Sequence, residues 1–364
     1  MERLLLLLFF VLQFPTCIFG KDCLSSLVTN CSSENNLTEL SLVNSFLTDL
    51  PDFDQYEHLL TVHLDNNQIH LINRNYSSIE SLSLTWNQIY ALHLNNLSYP
   101  KLKYLDLSHN PIEHIVDNFF SFEQFPRLEI LKLTSALKHI NPYLIDNRLI
   151  SFSSLIILRE VQFDENDFEE FSCSNNLSFI QWNFSSSIEK ISFARNRLAS
   201  FDENCFSQLI NVTQLDFHSN DLTDLITGNR TLPYLSKLRL DDNFFSTIPG
   251  NFLQASPRLM ELNLSANPLV FNEIRTKTSN VFPTTLRSLY LDSMSNDLSC
   301  TTFANLIELE QLHLANLTST RLENCLLNNL SKLKLVSKLF IFNRETDRNR
   351  TSMNNTDLIF FRKM

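Results

Sequence analysis

The nine histidines of this chain are the side chains best suited to acid–base or metal chemistry, yet their spacing favours neither. The pairs His58/His63 and His109/His114 miss the one-turn helical spacing by which a zinc-binding pair shares a face. No nucleophile, base and oxyanion donor can be assembled from neighbouring motifs. The sequence therefore predicts a protein that is not an enzyme and that has no metal site and no cofactor.

Glycine content and charge exclude further classes. Beyond the first twenty residues the chain has only Gly228 and Gly250. Phosphate-cradling loops, dinucleotide fingerprints and nucleophile elbows need clustered glycines, so these motifs are absent. The net charge of −11 argues against a nucleic-acid partner, because a basic face supplies most of that affinity. We interpret the adjacent carboxylates Asp241 and Asp242 as a solvated surface, with a cation contact as the alternative.

The elements that position the polar residues come from a recurring pattern, Leu-x-x-Leu-x-Leu-x-x-Asn-x-Leu. Eight copies are complete, and they begin at Leu59, Ile79, Leu102, Leu158, Ile188, Val212, Leu235 and Leu259. Five more keep the apolar frame but replace the asparagine; they begin at Leu37, Leu128, Leu286, Leu309 and Leu330, with Ser45, Ala136, Met294, Leu317 and Lys338 at that position. Successive copies start 20 to 30 residues apart, which is the spacing of leucine-rich repeats.

Each position in the pattern has a physical reason. The Leu-x-Leu pair alternates with a period of two, which predicts a short strand with one buried face. The asparagine follows at the bend, where its amide can satisfy backbone groups that the turning strand leaves unpaired. Stacked coils then share one core that no single repeat could bury alone. The predicted fold is an α/β solenoid: a right-handed leucine-rich repeat horseshoe with a concave parallel β-sheet and an irregular convex side.

The N-terminus indicates export. Arg3 precedes an apolar run from Leu4 to Leu12, and Gly20 offers a cleavage point, so residues 1–20 are predicted to be a signal peptide. A membrane anchor is the alternative, but the run is too short to span about 30 Å of hydrocarbon. No second long apolar stretch follows, so the sequence predicts no membrane span and a secreted, extracellular protein.

Glycosylation motifs agree with export. Thirteen Asn-x-Ser/Thr acceptors occur, at Asn30, Asn36, Asn75, Asn96, Asn176, Asn183, Asn211, Asn229, Asn263, Asn316, Asn329, Asn349 and Asn354. A chain rich in asparagine makes some of these by chance, so not all are expected to be used. Asn263 falls on a concave strand, where a glycan would block protein contact.

The repeats resemble the extracellular leucine-rich repeat family over about residues 37–340. The longer copies match its "typical" repeat, in which a phenylalanine and a leucine close the convex side, as Phe206 and Leu209 do after Asn196. Ectodomains of Toll-like receptors and chaoptin-like adhesion proteins are similar. The resemblance implies a curved solenoid that recognises ligands on its concave sheet or along its flanks.

The ends depart from the family pattern. Residues 21–36 hold two cysteines instead of a four-cysteine cap, and residues 343–364 form a polar tail with no recognisable cysteine-rich cap. We therefore expect a signal peptide (1–20), an N-terminal cap (21–36), an array of about thirteen repeats (37–342) and a tail (343–364). A longer natural chain could place the protein at the cell surface.

Repeat phase predicts the cysteine pairing. Cys173 and Cys205 occupy nearly the same convex position in successive coils, and so do Cys300 and Cys325; Cys23 and Cys31 remain for the cap. The spacing of neighbouring coils fits the Cα separation of a disulfide, about 4.4–6.8 Å. Buried free thiols are the alternative. A metal site is disfavoured because no Cys-x-x-Cys spacing is present.

Exposed positions on the concave strands are the candidate binding residues: His63, Trp86, Tyr104, Asp106 and His109. Trp86 suggests a binding hot spot, although packing against the strand edge is the alternative. The predicted function is a non-catalytic recognition module, receptor-like or adhesive, that binds a protein or cell-surface partner. An extracellular-matrix or cuticle organiser is the alternative, and the oligomeric state is left open.

Overall fold

A computed structural model describes residues 37–93, 97–116, 118–140, 149–173, 181–225, 230–270, 282–293, 298, 301–316, 327 and 329–337. Several sequence predictions lie outside these residues. They are the signal peptide, the cap and the tail; Cys23, Cys31, Cys300 and Cys325; and the acceptors Asn30, Asn36, Asn96, Asn176, Asn229, Asn349 and Asn354.

One parallel sheet of thirteen strands runs the length of the described chain. Its strands are β1 (Glu39–Ser41), β2 (Thr61–His63), β3 (Ser81–Ser83), β5 (Tyr104–Asp106), β7 (Ile130–Lys132), β9 (Glu160–Gln162), β12 (Lys190–Ser192), β14 (Gln214–Asp216), β15 (Lys237–Arg239), β16 (Glu261–Asn263), β17 (Ser288–Tyr290), β18 (Gln311–His313) and β19 (Leu335–Ser337). Each strand pairs with the strand of the next coil, in sequence order. The predicted leucine-rich repeat solenoid is confirmed.

Three short parallel ladders lie outside this sheet. They pair β4 (Ala91–Leu92) with β6 (His114–Ile115), β8 (Leu149–Ser151) with β11 (Gln181–Asn183), and β10 (Glu170–Phe171) with β13 (Ser200–Phe201). Helix is scarce in the described residues: α1 spans Gly250–Gln254, and a 3-10 helix spans Glu203–Ser207. The coils therefore return to the sheet mostly through irregular segments.

A ladder of buried asparagines joins the coils behind the sheet. Its eight members are those of the complete repeat copies: Asn67, Asn87, Asn110, Asn166, Asn196, Asn220, Asn243 and Asn267. The Nδ2 of Asn220, for example, donates to the carbonyls of Phe193 (2.9 Å) and Phe217 (3.1 Å). Its Oδ1 accepts the backbone N–H of Leu198 in the preceding coil, at 3.0 Å. The amides thus satisfy backbone groups of two coils at once, as the pattern predicted.

Ala136 interrupts the ladder. It is fully buried where the complete repeat copies have asparagine, and its backbone carbonyl accepts the N–H of Ile112 at 3.1 Å. At this coil a backbone carbonyl, and not an asparagine amide, therefore accepts the N–H of the preceding coil. The sheet continues in register from β5 through β7 and β9 to β12.

The coils that begin at Leu128 and Leu158 are each thirty residues long, and each has a described segment that pairs outside the large sheet. Part of that length forms the β8–β11 ladder. The pairing of the strands of the large sheet is uninterrupted through these coils.

The thirteenth repeat is displaced by three residues from the predicted frame. Placing its start at Leu330 would put Leu333 at the strand centre, but β19 pairs Val336 with Leu312 of β18. The repeat therefore begins at Leu333, and Leu330 is equivalent to Leu306, a buried residue just before the previous repeat. The sequence contains leucine at both positions, so the Leu-x-x-Leu spacing fitted two frames.

One core runs through all the coils. Most leucine-type residues of the pattern are almost completely buried, and Phe163, Phe193 and Phe217 stack in succession with ring centroids 5.4 Å apart. On the convex side, Phe206, Leu209 and Phe252 are likewise buried. The convex phenylalanines expected from the typical repeat thus close the core.

Cys173 and Cys205 form a disulfide with a Cα–Cα distance of 5.0 Å. It joins the segment after β10 to the 3-10 helix of the next coil, and Cys205 is fully buried. The bond therefore ties two successive coils together on the side away from the large sheet.

We predict that Asn220→Ala lowers the free energy of unfolding by about 2–4 kcal/mol, because it leaves the N–H of Leu198 buried without its partner. Chemical denaturation measures the loss. The matched control is Ser219→Ala, which removes only a bond to Asp242 and should change stability by less than about 0.5 kcal/mol. Equal effects of the two changes would contradict the structural role of the ladder.

Replacing both Cys173 and Cys205 by alanine should lower the free energy of unfolding by about 3 kcal/mol, because the bond closes a loop of sequence separation 32. Adding a reductant to the double variant serves as the control, because it shows separately what the other predicted bridges contribute. A double variant as stable as the oxidised parent would show that the bridge contributes nothing.

Candidate functional site

The concave strands display their side chains in aligned rows. Because the pairing is in register, the third residue of each strand lies beside the third residue of the next, so that His63, Ser83 and Asp106 follow one another. A second row begins where the strands end. In twelve coils the residue just before the asparagine position has a left-handed backbone, with φ between 53° and 59°. We call this row the bend row.

The bend row consists of Asn44, Asn66, Trp86, His109, Ser135, Glu165, Arg195, Ser219, Asp242, Ala266, Ser293 and Asn316. None of these is glycine, although the left-handed region costs other L-residues roughly 1–2 kcal/mol. Asparagine and aspartate tolerate it best, and a bulky aromatic residue is a genuine outlier there.

Trp86 is that outlier. Its φ is 55°, and the residue is 60% exposed. The indole stacks on the imidazole of His109, the next member of the row, with ring centroids 4.1 Å apart and planes 11° from parallel. The other tryptophan of the chain, Trp182, is buried in the core. Trp86 is therefore held in place by its neighbour, with most of its surface in solvent.

His63 lies on the concave sheet between two carboxylates. Its Nε2 is 3.6 Å from Glu39 and its Nδ1 is 3.8 Å from Asp65. Asp65 is held by the next coil, because one of its oxygens accepts the backbone N–H of Thr85 (2.9 Å) and the hydroxyls of Thr85 (2.8 Å) and Ser83. The carboxylate is thus fixed, and His63 remains partly exposed beside it.

Tyr104 and Asp106 form a second fixed group. The hydroxyl of Tyr104 donates to Asp106 at 2.9 Å, and the other oxygen of Asp106 accepts the N–H of Ser108 at 3.0 Å. The ammonium of Lys132 lies over the Tyr104 ring, 5.5 Å from its centroid. Burial, followed by the charge of Asp106 and the hydrogen bond to it, raises the pKa of Tyr104 well above its usual value. Asp106 is buried, so it contributes charge and orientation more than contact area.

The structure separates the two aromatic residues that the sequence had grouped. Trp86 stacks on His109, whereas the register partner of Tyr104 on the neighbouring strand is Ser81. Ser81 and Trp86 stand at opposite ends of one short strand and its bend. The contacts thus form two groups, Trp86 with His109 at the bend and Tyr104 with Asp106 on the sheet; that these patches serve one binding site stays a prediction.

A charged network in the central coils was not singled out from the sequence as a unit. Arg239 donates to Asp216 (3.1 Å) and makes two bonds to Asp241 (3.2 and 3.1 Å), and His218 contacts Asp216 at 2.8 Å. Burial alone would raise the pKa of Asp216, but His218 and Arg239 outweigh it and lower the value. Asp241 is thus paired with arginine, and Asp242 accepts the hydroxyl of Ser219 at 2.8 Å.

Two exposed aromatic residues of the early coils also escaped the sequence reasoning. Phe46 is 68% exposed and has a left-handed φ of 56°, and Tyr90 is 46% exposed. Both follow the asparagine position of their coils, on the flank where the chain leaves the sheet. The sequence feature that could have identified them is an aromatic residue at a variable position of the pattern just after the bend.

Six glycosylation acceptors fall in the described residues, and they differ in place. Asn263 is on strand β16 of the concave sheet, and Asn183 is on β11 of a smaller ladder. Asn316 belongs to the bend row. Asn75, Asn211 and Asn329 are exposed and lie outside all the strands.

Among the described residues, no group of three or more histidine, cysteine or acidic side chains is arranged to hold a metal ion. No helix among those residues is both long enough and apolar enough to cross a membrane.

Comparison with known proteins gives relatives for part of the chain. No protein-family model matches it. Keratocan of Gallus gallus is 29% identical over 118 residues, which cover 26% of this chain and 33% of that protein. Osteomodulin of Bos taurus is 23% identical over 209 residues, covering 46% of this chain and 48% of that protein. The chain thus spans less than half the length of each of these relatives.

Solved structures share the fold over most of the chain. The toll receptor of Drosophila in complex with Spatzle superposes with a TM-score of 0.57 at 14% identity, covering 82% of this chain and 39% of that one. The leucine-rich repeat protein LIC12759 of Leptospira interrogans gives 0.56 at 21% identity, covering 86% and 80%. The receptor in a TLR13–ssRNA13 complex gives 0.55 at 19%, covering 88% and 51%.

The repeat motif, the coil-by-coil sheet and these likenesses define a leucine-rich repeat solenoid. Within that class the chain is similar in sequence to keratocan and osteomodulin, and similar in fold to receptors of the Toll type.

For Tyr104 we predict a pH signature. Because its pKa is raised, the bond to Asp106 stabilises the fold fully below about pH 10, the ordinary tyrosine value, and is lost as the pH rises through the raised pKa. In a phenolate absorbance titration, Tyr104→Phe should remove one tyrosine from the late step. A loss from the step near the ordinary value instead would contradict the described environment.

Proposed function

We propose that this protein is a secreted, non-catalytic recognition module that binds a protein partner through its N-terminal coils, with Trp86 as the central anchor. The leucine-rich repeat fold and the relatives support an extracellular protein-interaction role. The receptor-like or adhesive character, the location of the site and its anchor residue are our proposal.

The observation that carries the proposal is the state of Trp86. An indole that is 60% exposed in a left-handed backbone stabilises the folded chain little, because it buries little area and occupies a costly conformation. The same bend position holds asparagine in the two preceding coils, so the fold does not demand tryptophan there. Residues in costly conformations cluster at functional sites, and tryptophan is enriched among the residues that dominate protein interfaces.

The surroundings suit a binding site. His109 fixes the indole by stacking, so little side-chain freedom is lost when a partner covers it. Phe46 and Tyr90 extend the apolar surface along the same flank, which we call the N-terminal flank together with Trp86 and His109. Polar residues of the adjoining strands border this flank, as they do around interface anchors.

Charge favours a protein partner over a nucleic acid. The strands β1, β2, β3 and β5 hold Glu39 and Asp106, with Asp65 just after β2, and they contain neither lysine nor arginine. A phosphate backbone would be repelled by this face. The complex of the structural neighbour TLR13 with RNA shows that the solenoid shape alone does not select the class of ligand.

The test is affinity capture followed by measured binding. The secreted protein is used to recover its partner, and Trp86→Ala is then compared with Phe244→Ala. Phe244 is a matched control because it is 57% exposed on the corresponding flank of a distant coil. Trp86→Ala should weaken binding about thirtyfold or more, since a central aromatic anchor contributes over about 2 kcal/mol.

Tyr104→Ala is assayed separately, because Tyr104 lies in the other patch. Binding that survives Trp86→Ala in a folded variant would move the site away from the N-terminal flank. A loss with Phe244→Ala alone would place it in the later coils.

A further inference from the structure

The C-terminal part of the concave sheet carries an acceptor asparagine beside an aromatic stack. Asn263 begins Asn263-Leu264-Ser265, and it is the third residue of β16. Its register partner on β17 is Tyr290, and the partner of Tyr290 on β18 is His313. Three consecutive strands therefore bring an amide and two rings into one row.

The amide of Asn263 is oriented by the backbone. Its Oδ1 accepts the N–H of Ser265 at 3.0 Å, which fixes the side chain by a local turn. Within the described part of the chain its Nδ2 has no hydrogen-bond partner, in contrast to Asn211, whose Nδ2 donates to Ser186 at 2.9 Å. A substituent on Nδ2 of Asn263 therefore breaks no bond of the fold.

The rings form a fixed platform. Tyr290 and His313 are stacked, with centroids 4.3 Å apart and planes 17° from parallel. Ser337 of β19 is bonded to Nδ1 of His313 at 2.8 Å, so the platform is held from its far side. The third residues of paired strands are about 4.8 Å apart, which puts the Tyr290 ring within reach of the first sugar on Asn263.

We propose that Asn263 is N-glycosylated and that the first sugars of its glycan pack on the Tyr290–His313 stack, covering the concave sheet over β16 to β18. The transfer uses an oligosaccharide carried on a lipid pyrophosphate. A bond forms between Nδ2 and the sugar C1, the C1–O bond breaks, the lipid pyrophosphate leaves, and the amide nitrogen gives up one proton. The C–H faces of the sugars then bury against the rings as other apolar surface does.

This glycan differs in place from the others that the described residues could carry. Asn75, Asn183, Asn211 and Asn329 lie off the strands of the large sheet and off the bend row, and Asn316 lies in the bend row after β18. Among the acceptors in the described residues, only Asn263 would put its glycan over a strand of the large sheet, and it would do so in the late coils. The inference stands on Asn263 and its neighbours and does not depend on the Trp86 site.

The first experiment is glycopeptide mass spectrometry of the protein secreted from a eukaryotic cell. The peptide containing Asn263 is expected to carry hexosamine in most molecules. An unmodified Asn263 in the folded secreted protein overturns the proposal without any variant being needed.

The second experiment tests the packing. In native protein, Tyr290→Ala should speed the release of the Asn263 glycan by peptide N-glycosidase several-fold, and Tyr290→Phe should not, because phenylalanine keeps the ring. Release at exposed Asn75 serves as the internal control and should be unchanged in both variants. If Tyr290→Ala leaves the release rate at Asn263 unchanged, the glycan does not pack on the Tyr290 ring.

The third experiment measures the effect of Tyr290→Ala on Tm twice, once in the glycosylated protein and once in a variant without the acceptor. Asn263→Asp removes the acceptor but keeps the oxygen that Ser265 needs. Tyr290→Ala should lower Tm by about 2 °C or more in the glycosylated protein and by clearly less in the Asn263→Asp background. Equal shifts in both backgrounds would show that ring and glycan do not interact.

Discussion

The structure depends on the hydrogen bonds that buried asparagine amides make to the backbones of two coils at once. Each concave strand has only three residues, and the chain must turn directly after it. The turn leaves peptide groups inside the molecule without partners, and a buried unpaired group is costly. One asparagine amide supplies both the donors and the acceptor that the turn needs. Because each rung reaches into the preceding coil, it also fixes how the coils stack.

Most of the architecture could be predicted from the sequence because the asparagine that makes these bonds recurs in it. In the eight complete copies both the asparagine and the spacing of the apolar residues mark where each repeat begins. At the asparagine position the thirteenth repeat has Lys338 in the predicted frame and Ile341 in the observed one, and leucines at 330 and 333 fit the apolar spacing equally well. Without an amide to mark the bend, only the pairing of Val336 with Leu312 could decide.

The candidate site was less predictable. The repeat period assigns each residue to a row of the sheet, but it does not show which neighbours the side chain contacts. The motif placed Trp86 and Tyr104 in neighbouring coils, but it did not show that the indole stacks on His109. The hydroxyl of Tyr104 instead turns along its own strand to Asp106. Phe46 and Tyr90 occupy positions that the pattern leaves free, so no repeat signal marked them.

The left-handed bend row has a consequence for how such a protein can change over time. In twelve coils the backbone of this position is set by the turn and the ladder behind it, while the side chain projects outward. The residues found there range from alanine and serine to glutamate, arginine and tryptophan, with φ confined to a few degrees. Exchanges among non-glycine residues in this row alter the surface without disturbing the core. A lineage can therefore acquire new binding specificities one coil at a time, while the scaffold that presents them stays the same.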